Sequence, residues 1–331
     1  MATDPKPRGA AERRATSHFS LLMISAMYEN GGNVTQRLLD GHPELFVYPF
    51  ESQVGTRLIA DHLSSIVPAK YRWPVLDLSA APEEDYESIV DEECKVRIKT
   101  PQASKFRNTA ISLRDPERKA LFLKILGAGP RTRARVMEAF FRATFRAWRN
   151  YKASGREHLF VGYSPMIVVD AQKILNDLPK AHVLHVVRNP WSAYAETKKR
   201  AVPLSIAQYL TAWNLCQEFA LTLRKLYPRR LHLLRYEDLI RNPREALEAI
   251  GKRVGFGPSP TMTWPSWHGK RLREVHPWGT IRTPTPQANR ATALELSEAE
   301  KSEVRLRTRF FLGEFGYEGG PGELADARDK Q

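Results

Sequence analysis

The stretch from Phe19 to Met27, FSLLMISAM, is apolar almost without interruption and ends in turn residues. It lacks the alternating polarity of a strand with one wet face. Such a run fits a strand buried on both sides, which implies a parallel sheet packed between helices. Directly after it come Tyr28, Glu29, Asn30, Gly31, Gly32 and Asn33, and then a short helical pattern over residues 34–41. Strand, glycine turn and helix in this order build a phosphate-cradling loop. N–H groups at the helix N-terminus favour an anion, and glycine lets it come close. The position where such a loop usually carries a cation is Glu29.

The same alternation continues downstream. ELFVYPFES (44–52) reads as a second strand and QVGTRLIADHLSSIV (53–67) as a helix, while the pattern weakens over 68–130. Residues 131–154 form a clear helical pattern with a core face of Val136, Phe140, Thr144, Ala147, Trp148 and Tyr151. Arg135, Arg142, Arg146 and Arg149 line another face, read as a solvated basic surface or, alternatively, an acceptor-binding wall. EHLFVGYSP, AHVLHVVRNP and RLHLLRYEDL read as strands. IVVDAQKILNDLP, WSAYAETKKR, SIAQYLTAWNLCQEFALTLRKLYP and NPREALEAIGKRVGF read as the helices between and after them. A closing helix covers 297–318. The alternation predicts an α/β doubly wound parallel sheet with helices on both faces. The expected layout is a tail over 1–17, one domain over 18–318 with a variable insertion near 53–156, and a tail over 319–331. Ligands of such sheets sit at the carboxyl ends of strands. The Gly-Gly turn, Glu51 and Arg188 all fall at such ends.

Charge narrows the partner class. Lys and Arg total 51 against 37 acidic residues, a formal charge of +14. That favours an anionic ligand such as a nucleotide or a sulfated or phosphorylated molecule. The basic residues are dispersed, with no nucleic-acid-reading motif, so no nucleic-acid partner is expected. No apolar run reaches the ~18 residues of a membrane span. The first 17 residues lack the apolar core of a secretory signal, and an Arg-rich targeting segment is the lesser alternative to a plain tail. Cys94 and Cys216 offer no metal spacing and no disulfide framework. A cytoplasmic protein without a bound metal is therefore expected.

Three ordered blocks go further. They are the strand–turn–helix ending in LLDGHPEL, the strand ending in VVRNP, and LRYEDLIRNPREAL. Together they resemble the PAPS-dependent sulfotransferases, over about 19–52, 161–200 and 231–256. The resemblance implies a P-loop-like α/β fold. It also implies transfer of a sulfonate from 3′-phosphoadenosine 5′-phosphosulfate to a hydroxyl or amine of a small-molecule acceptor. In that family the first loop holds the 5′-phosphosulfate and the later arginine the 3′-phosphate. By position these are Asn30, Gly31, Gly32 and Asn33, and Arg188. Tyr236 of RYEDL is expected beside the nucleotide, and Trp191 and Trp278 are candidates to stack on adenine. Glu51, after the second strand, stands where several branches carry the base that accepts the acceptor proton. His42 reads as loop packing, and Glu237 and Asp238 as braces bonding to backbone.

The departures from the family pattern concern charge. Glu29 replaces a Lys or Arg, Glu196 replaces a serine that assists the 3′-phosphate, and Tyr163 replaces a lysine. A bare carboxylate facing a phosphate costs about 1 kcal/mol at contact in water and several times more when desolvated. Three explanations stand open. Cations come from Arg37, Lys198, Lys199, Arg200 or Arg282; of these, Lys198 and Arg282 join the expected nucleotide contacts. Alternatively, the glutamates face away from the ligand. In the third explanation, donor binding has been lost. A non-catalytic binder of an anionic ligand is thus one rival reading. A P-loop kinase is another, but the loop lacks its Lys and Ser/Thr, and Asp170 is the only tempting magnesium ligand. The aromatic and basic side chains over 53–156 suit an aromatic, sugar or nucleoside-like acceptor, an already anionic one included. The oligomeric state is left open.

Overall fold

The computed structural model describes residues 19–52, 61, 63–64, 72–89, 91–104, 107–272 and 284–321. The expected N-terminal tail, most of the helix expected over 53–67, Trp278 and Arg282 lie outside the described residues. Five parallel strands form the sheet: β1 (Leu21–Ala26), β2 (Leu45–Val47), β3 (Leu159–Tyr163), β4 (Ala181–Val187) and β5 (Leu231–Arg235). Their order is β2-β3-β1-β4-β5. The chain winds outward from β1 to one edge and then crosses β1 to wind to the other. The carboxyl ends of β1, β3 and β4 therefore meet at a switch point, the crevice where ligands of open α/β sheets bind.

Both faces of β1 are apolar, as the FSLLMISAM run requires. Leu21 and Met23 point into one core with Phe160, Val183 and Phe141, while Leu22 and Ile24 point into the other with Val161 and Leu184. On the second face lie α1 (Gly32–Leu39), α9 (Tyr236–Arg241) and α10 (Pro243–Val254). The first face carries α5 (Arg133–Ala147), α6 (Ala171–Asp177), α8 (Ile206–Leu226) and α12 (Glu298–Glu314). The remaining helices are α2 (Pro82–Ser88), α3 (Glu92–Lys99), α4 (Asp115–Leu126), α7 (Pro190–Lys198) and α11 (Pro286–Leu294). A two-stranded hairpin, β6 (Ser266–Trp267) and β7 (Lys270–Arg271), follows α10. The fold is thus the expected doubly wound α/β sheet with helices on both faces.

Several expected boundaries move for physical reasons. The second strand stops at Val47 because Tyr48 O is taken by Gln36 and Arg37 while Tyr163 N donates to Ser52 Oγ, which replaces the next rung of the ladder. The segment still runs beside β3, with Tyr48 N bonding Val161 O and Ser52 N bonding Tyr163 O. Of RYEDL only Arg235 is strand, and Tyr236 begins a helix. The partner strand β4 ends opposite Arg235, and Glu237 and Asp238 then suit the first turn of a helix. The helix expected to Ser154 ends at Ala147, where Asn150 Oδ1 accepts from Trp148 Nε1 and Ser112 N. On that helix Arg142 pairs with Glu138 and Arg135 bonds backbone carbonyls, and just beyond it Arg149 pairs with Glu117, which leaves an ion-paired surface.

The inserted helices share the first core. Phe122, Phe140 and Trp73 pack there with Tyr48 and Phe160. Two buried ionic clusters fasten them. Arg72 makes a fork to Asp170, with Nε to Oδ2 at 2.7 Å and Nη2 to Oδ1 at 2.9 Å. Arg118, fully buried, reaches Asp91 (2.6 Å), Tyr86 (2.7 Å) and Asp115 (3.0 Å), and Asp91 also accepts from Tyr48 Oη (2.6 Å). Cys94 and Cys216 are buried free thiols. Among the described residues no helix is long and apolar enough to cross a membrane.

Candidate active site

The crevice above β1, β3 and β4 is built from the loop Met27–Gly31. Glu29 takes φ 59° and Gly31 φ 93°, both in the left-handed region. That bend turns the chain from β1 into α1, and only glycine fits at Gly31 for a second reason. A Cβ there would lie 2.3 Å from the Tyr236 ring, and one on Gly32 would lie 2.3 Å from the Tyr163 ring. The two loop glycines are therefore each covered by a tyrosine. No side chain caps α1, and the N–H groups of Gly32, Asn33 and Val34 make no hydrogen bond among the described residues. The first turn of a helix with uncapped N–H groups suits an anion.

Asn30 is placed in the loop as expected, but its side chain serves the protein. It is fully buried, its amide donates to Tyr28 O and Tyr209 Oη, and its carbonyl accepts from Arg188 N at 2.9 Å. It ties β1's exit to β4's exit. Arg188 follows β4 directly and is 7% exposed. Its Nε donates to Asn289 Oδ1 (2.7 Å) and its Nη1 to Glu29 O (2.9 Å), and the guanidinium lies 4.8 Å from the Tyr236 ring centre. Nη2 makes no hydrogen bond among the described residues. A held guanidinium with a donor edge to spare is a suitable phosphate receptor.

Glu237 braces this arrangement, as RYEDL suggested. Its Oε1 accepts from Asn189 N, Asn189 Nδ2 and Asn289 Nδ2, and its Oε2 accepts from Tyr317 Oη at 2.7 Å. Asn289 is the residue that sequence reasoning missed. It lies on α11, a helix that the sequence reading does not pick out, and it touches Arg188 from 101 residues away. Thr285 followed by Pro286 at the helix start is the signal that marks α11. Asn289→Ala leaves Arg188 Nε and Glu237 each short of a partner. The expected cost is about 1–2 kcal/mol of stability, read as a lower urea midpoint, with weaker nucleotide binding alongside.

Glu51 sits across the crevice on the segment leaving β2. Gln36 Nε2 clamps that segment by donating to Tyr48 O (2.8 Å) and Phe50 O (2.6 Å). Asn33 Nδ2 then donates to Glu51 Oε1 at 3.1 Å. The loop residue and the carboxylate are thus brought together. The Tyr28 phenol pKa is raised chiefly by burial, against the pull of Arg200, with Glu51 adding to the rise.

The charge departures resolve unevenly. Glu29 points to Arg200, with Oε1 to Nη1 at 3.5 Å. Glu196 lies at the margin, bonded to Lys199 (3.3 Å) and Thr292 (3.3 Å). Lys198, expected at the nucleotide, instead reaches Glu300 on α12 at 2.5 Å, because the last turn of α7 packs against that helix. Arg37 is directed to Tyr48 O and Asp40. Trp191 is core: fully buried, with its Nε1 bonded to Lys301 O. Asp170 begins α6 but its carboxylate is taken by Arg72 and Lys173, so it is no magnesium ligand. His42 packs its loop, bonding Gly257 O through Nε2 and accepting from Glu44 N at Nδ1. Among the described residues no three His, Cys, Asp or Glu side chains converge as a metal site would require.

Comparisons with known proteins bear on the family and the fold. The model of the Sulfotransferase family matches residues 30–257, more than half of the chain. The chain belongs to the sulfotransferase family. Its structure is similar to the sulfotransferase domain from the Synechococcus PCC 7002 olefin synthase, at 17% identity and a TM-score of 0.50, covering 88% of this chain and 94% of that one. It is also similar to the sulfotransferase domain from the curacin biosynthetic pathway, at 15% identity and 0.51, covering 88% and 97%. At these identities the likeness concerns the fold. Among curated proteins none matches the chain. In this member of the family a glycine turn follows β1, Arg188 follows β4, and Glu237 bonds Asn189 and Asn289.

Proposed function

We propose that the protein transfers a sulfonate from 3′-phosphoadenosine 5′-phosphosulfate to a hydroxyl or amine of a small-molecule acceptor. The observation that carries this is the joint placement, at one strand switch point, of the uncapped α1 N-terminus and the braced Arg188 guanidinium. The donor fits these groups by its chemistry: two anionic ends meet two cationic or N–H-rich receptors. Bound there, it supplies the sulfonate and leaves as 3′,5′-adenosine bisphosphate. The first-turn N–H groups of α1 hold the 5′ end, and Arg188 holds the 3′-phosphate with Tyr236 beneath it. Glu51 accepts the acceptor proton as the new S–O or S–N bond forms, and Asn33 keeps its carboxylate in register. Because transfer of this kind proceeds in line, positioning and charge stabilisation do most of the work.

The test is calorimetric. Arg188→Ala is expected to weaken binding of 3′,5′-adenosine bisphosphate by about 2 kcal/mol or more, the scale of a lost charge-assisted fork. An unchanged affinity would take Arg188 out of the site and with it the observation that carries the reading.

A further inference from the structure

We propose that Arg200 supplies the positive charge the first loop lacks, with Glu29 as the post that holds it there until a 5′-anion arrives. The inference rests on reading the crevice as a sulfonate-donor site. Two guanidinium groups contact this loop from different sides. Arg188 bonds the Glu29 carbonyl, whereas Arg200 meets the Glu29 carboxylate and lies 4.8 Å from the Tyr28 ring centre. Arg200 is thus held by the loop's own residues. Its backbone N–H donates to Thr197 O at 3.2 Å, which fixes the position just beyond α7.

The neighbouring cations are occupied elsewhere. Lys198 goes to Glu300, and Lys199 to Glu196 (3.3 Å) and Glu295 (2.8 Å). Each residue of the KKR segment has its own acidic partner, and Arg200 is the one aimed at the loop. The Arg200–Glu29 contact is long, at 3.5 Å, and the two side chains are 43% and 39% exposed. An exposed ion pair of this kind is weak. A doubly charged 5′ group seated on the α1 N-terminus, which begins three residues after Glu29, outcompetes a single carboxylate for the guanidinium. Glu29 therefore keeps a cation stationed at the loop, even though it stands where the family places the cation itself.

The test separates the two ends of the nucleotide. Wild type, Arg200→Ala and the double variant Arg200→Ala/Glu29→Ala are titrated with 3′,5′-adenosine bisphosphate and with adenosine 3′-monophosphate, which lacks the 5′ anion. Arg200→Ala is expected to weaken the bisphosphate about tenfold or more and to leave the 3′-monophosphate within about twofold. The double variant is expected to stay well below wild type. If the double variant regains wild-type affinity, Arg200 only neutralises Glu29 and the proposal falls. Equal losses for both ligands, or no loss for either, overturn it as well. Absence of bisphosphate binding by the wild type removes the donor-site reading itself, an outcome distinct from the others.

Discussion

Glu51→Gln is expected to lower turnover about a hundredfold or more while leaving the affinity for 3′,5′-adenosine bisphosphate unchanged. The substitution is close to isosteric. Asn33 can still donate to the amide oxygen at position 51, and the Gln36 clamp on the Tyr48 and Phe50 carbonyls does not involve the side chain at all. What disappears is the capacity to accept a proton. The measurement is release of the bisphosphate from 3′-phosphoadenosine 5′-phosphosulfate, with the best acceptor from a panel of phenols, sugars and nucleosides. A variant with wild-type turnover would make Glu51 a loop brace and leave the acceptor proton to another group.

Arg118→Leu is expected to cost about 3–5 kcal/mol of stability, because it strands buried negative charge. Asp91 and Arg118 are both fully buried, and Asp115 and Tyr86 complete the cluster. The leucine would leave Asp91 with Tyr48 Oη and only the weaker pull of Lys95 to balance its charge. The consequence reaches the site, since Tyr48 lies three residues before Glu51 on the same clamped segment. Denaturant titration followed by tryptophan fluorescence reads the loss, and limited proteolysis reads where loosening begins, with cleavage expected first within residues 72–126. A second substitution that removes the Asp91 carboxylate should recover part of the loss. A midpoint shift below about 1 kcal/mol would mean that the cluster tolerates an unbalanced carboxylate, contrary to this account.

Much of the fold was legible because β1, β3 and β4 carry apolar residues on both faces, a pattern that only a covered parallel strand explains. The glycine turn and Arg188 were legible for a related reason: each sits directly at a strand end, so position in sequence gives position in space. The charge partners were not. Lys198 and Arg200 lie two residues apart, but α7 ends at Lys198, and helical phase says nothing about where the chain points afterwards. Lys198 goes to α12 and Arg200 to the loop. Asn289 was hidden because its partners, Arg188 and Glu237, come from just beyond the end of β4 and from α9. The role of Asn30 was hidden too. Its place in the loop suggested a ligand contact, and only the three-dimensional structure brings Arg188 N and Tyr209 Oη to its amide.

The central claim is that a loop bearing glutamate in place of its cation still serves a sulfonate donor. The most direct measurement is calorimetric titration of the wild-type protein with 3′,5′-adenosine bisphosphate, run beside AMP and ATP–Mg at moderate fixed salt. The account predicts tight binding of the bisphosphate and weak binding of the other two, since only the bisphosphate engages both Arg188 and the α1 N-terminus. No binding of the bisphosphate, or an equal preference for ATP–Mg, would contradict it.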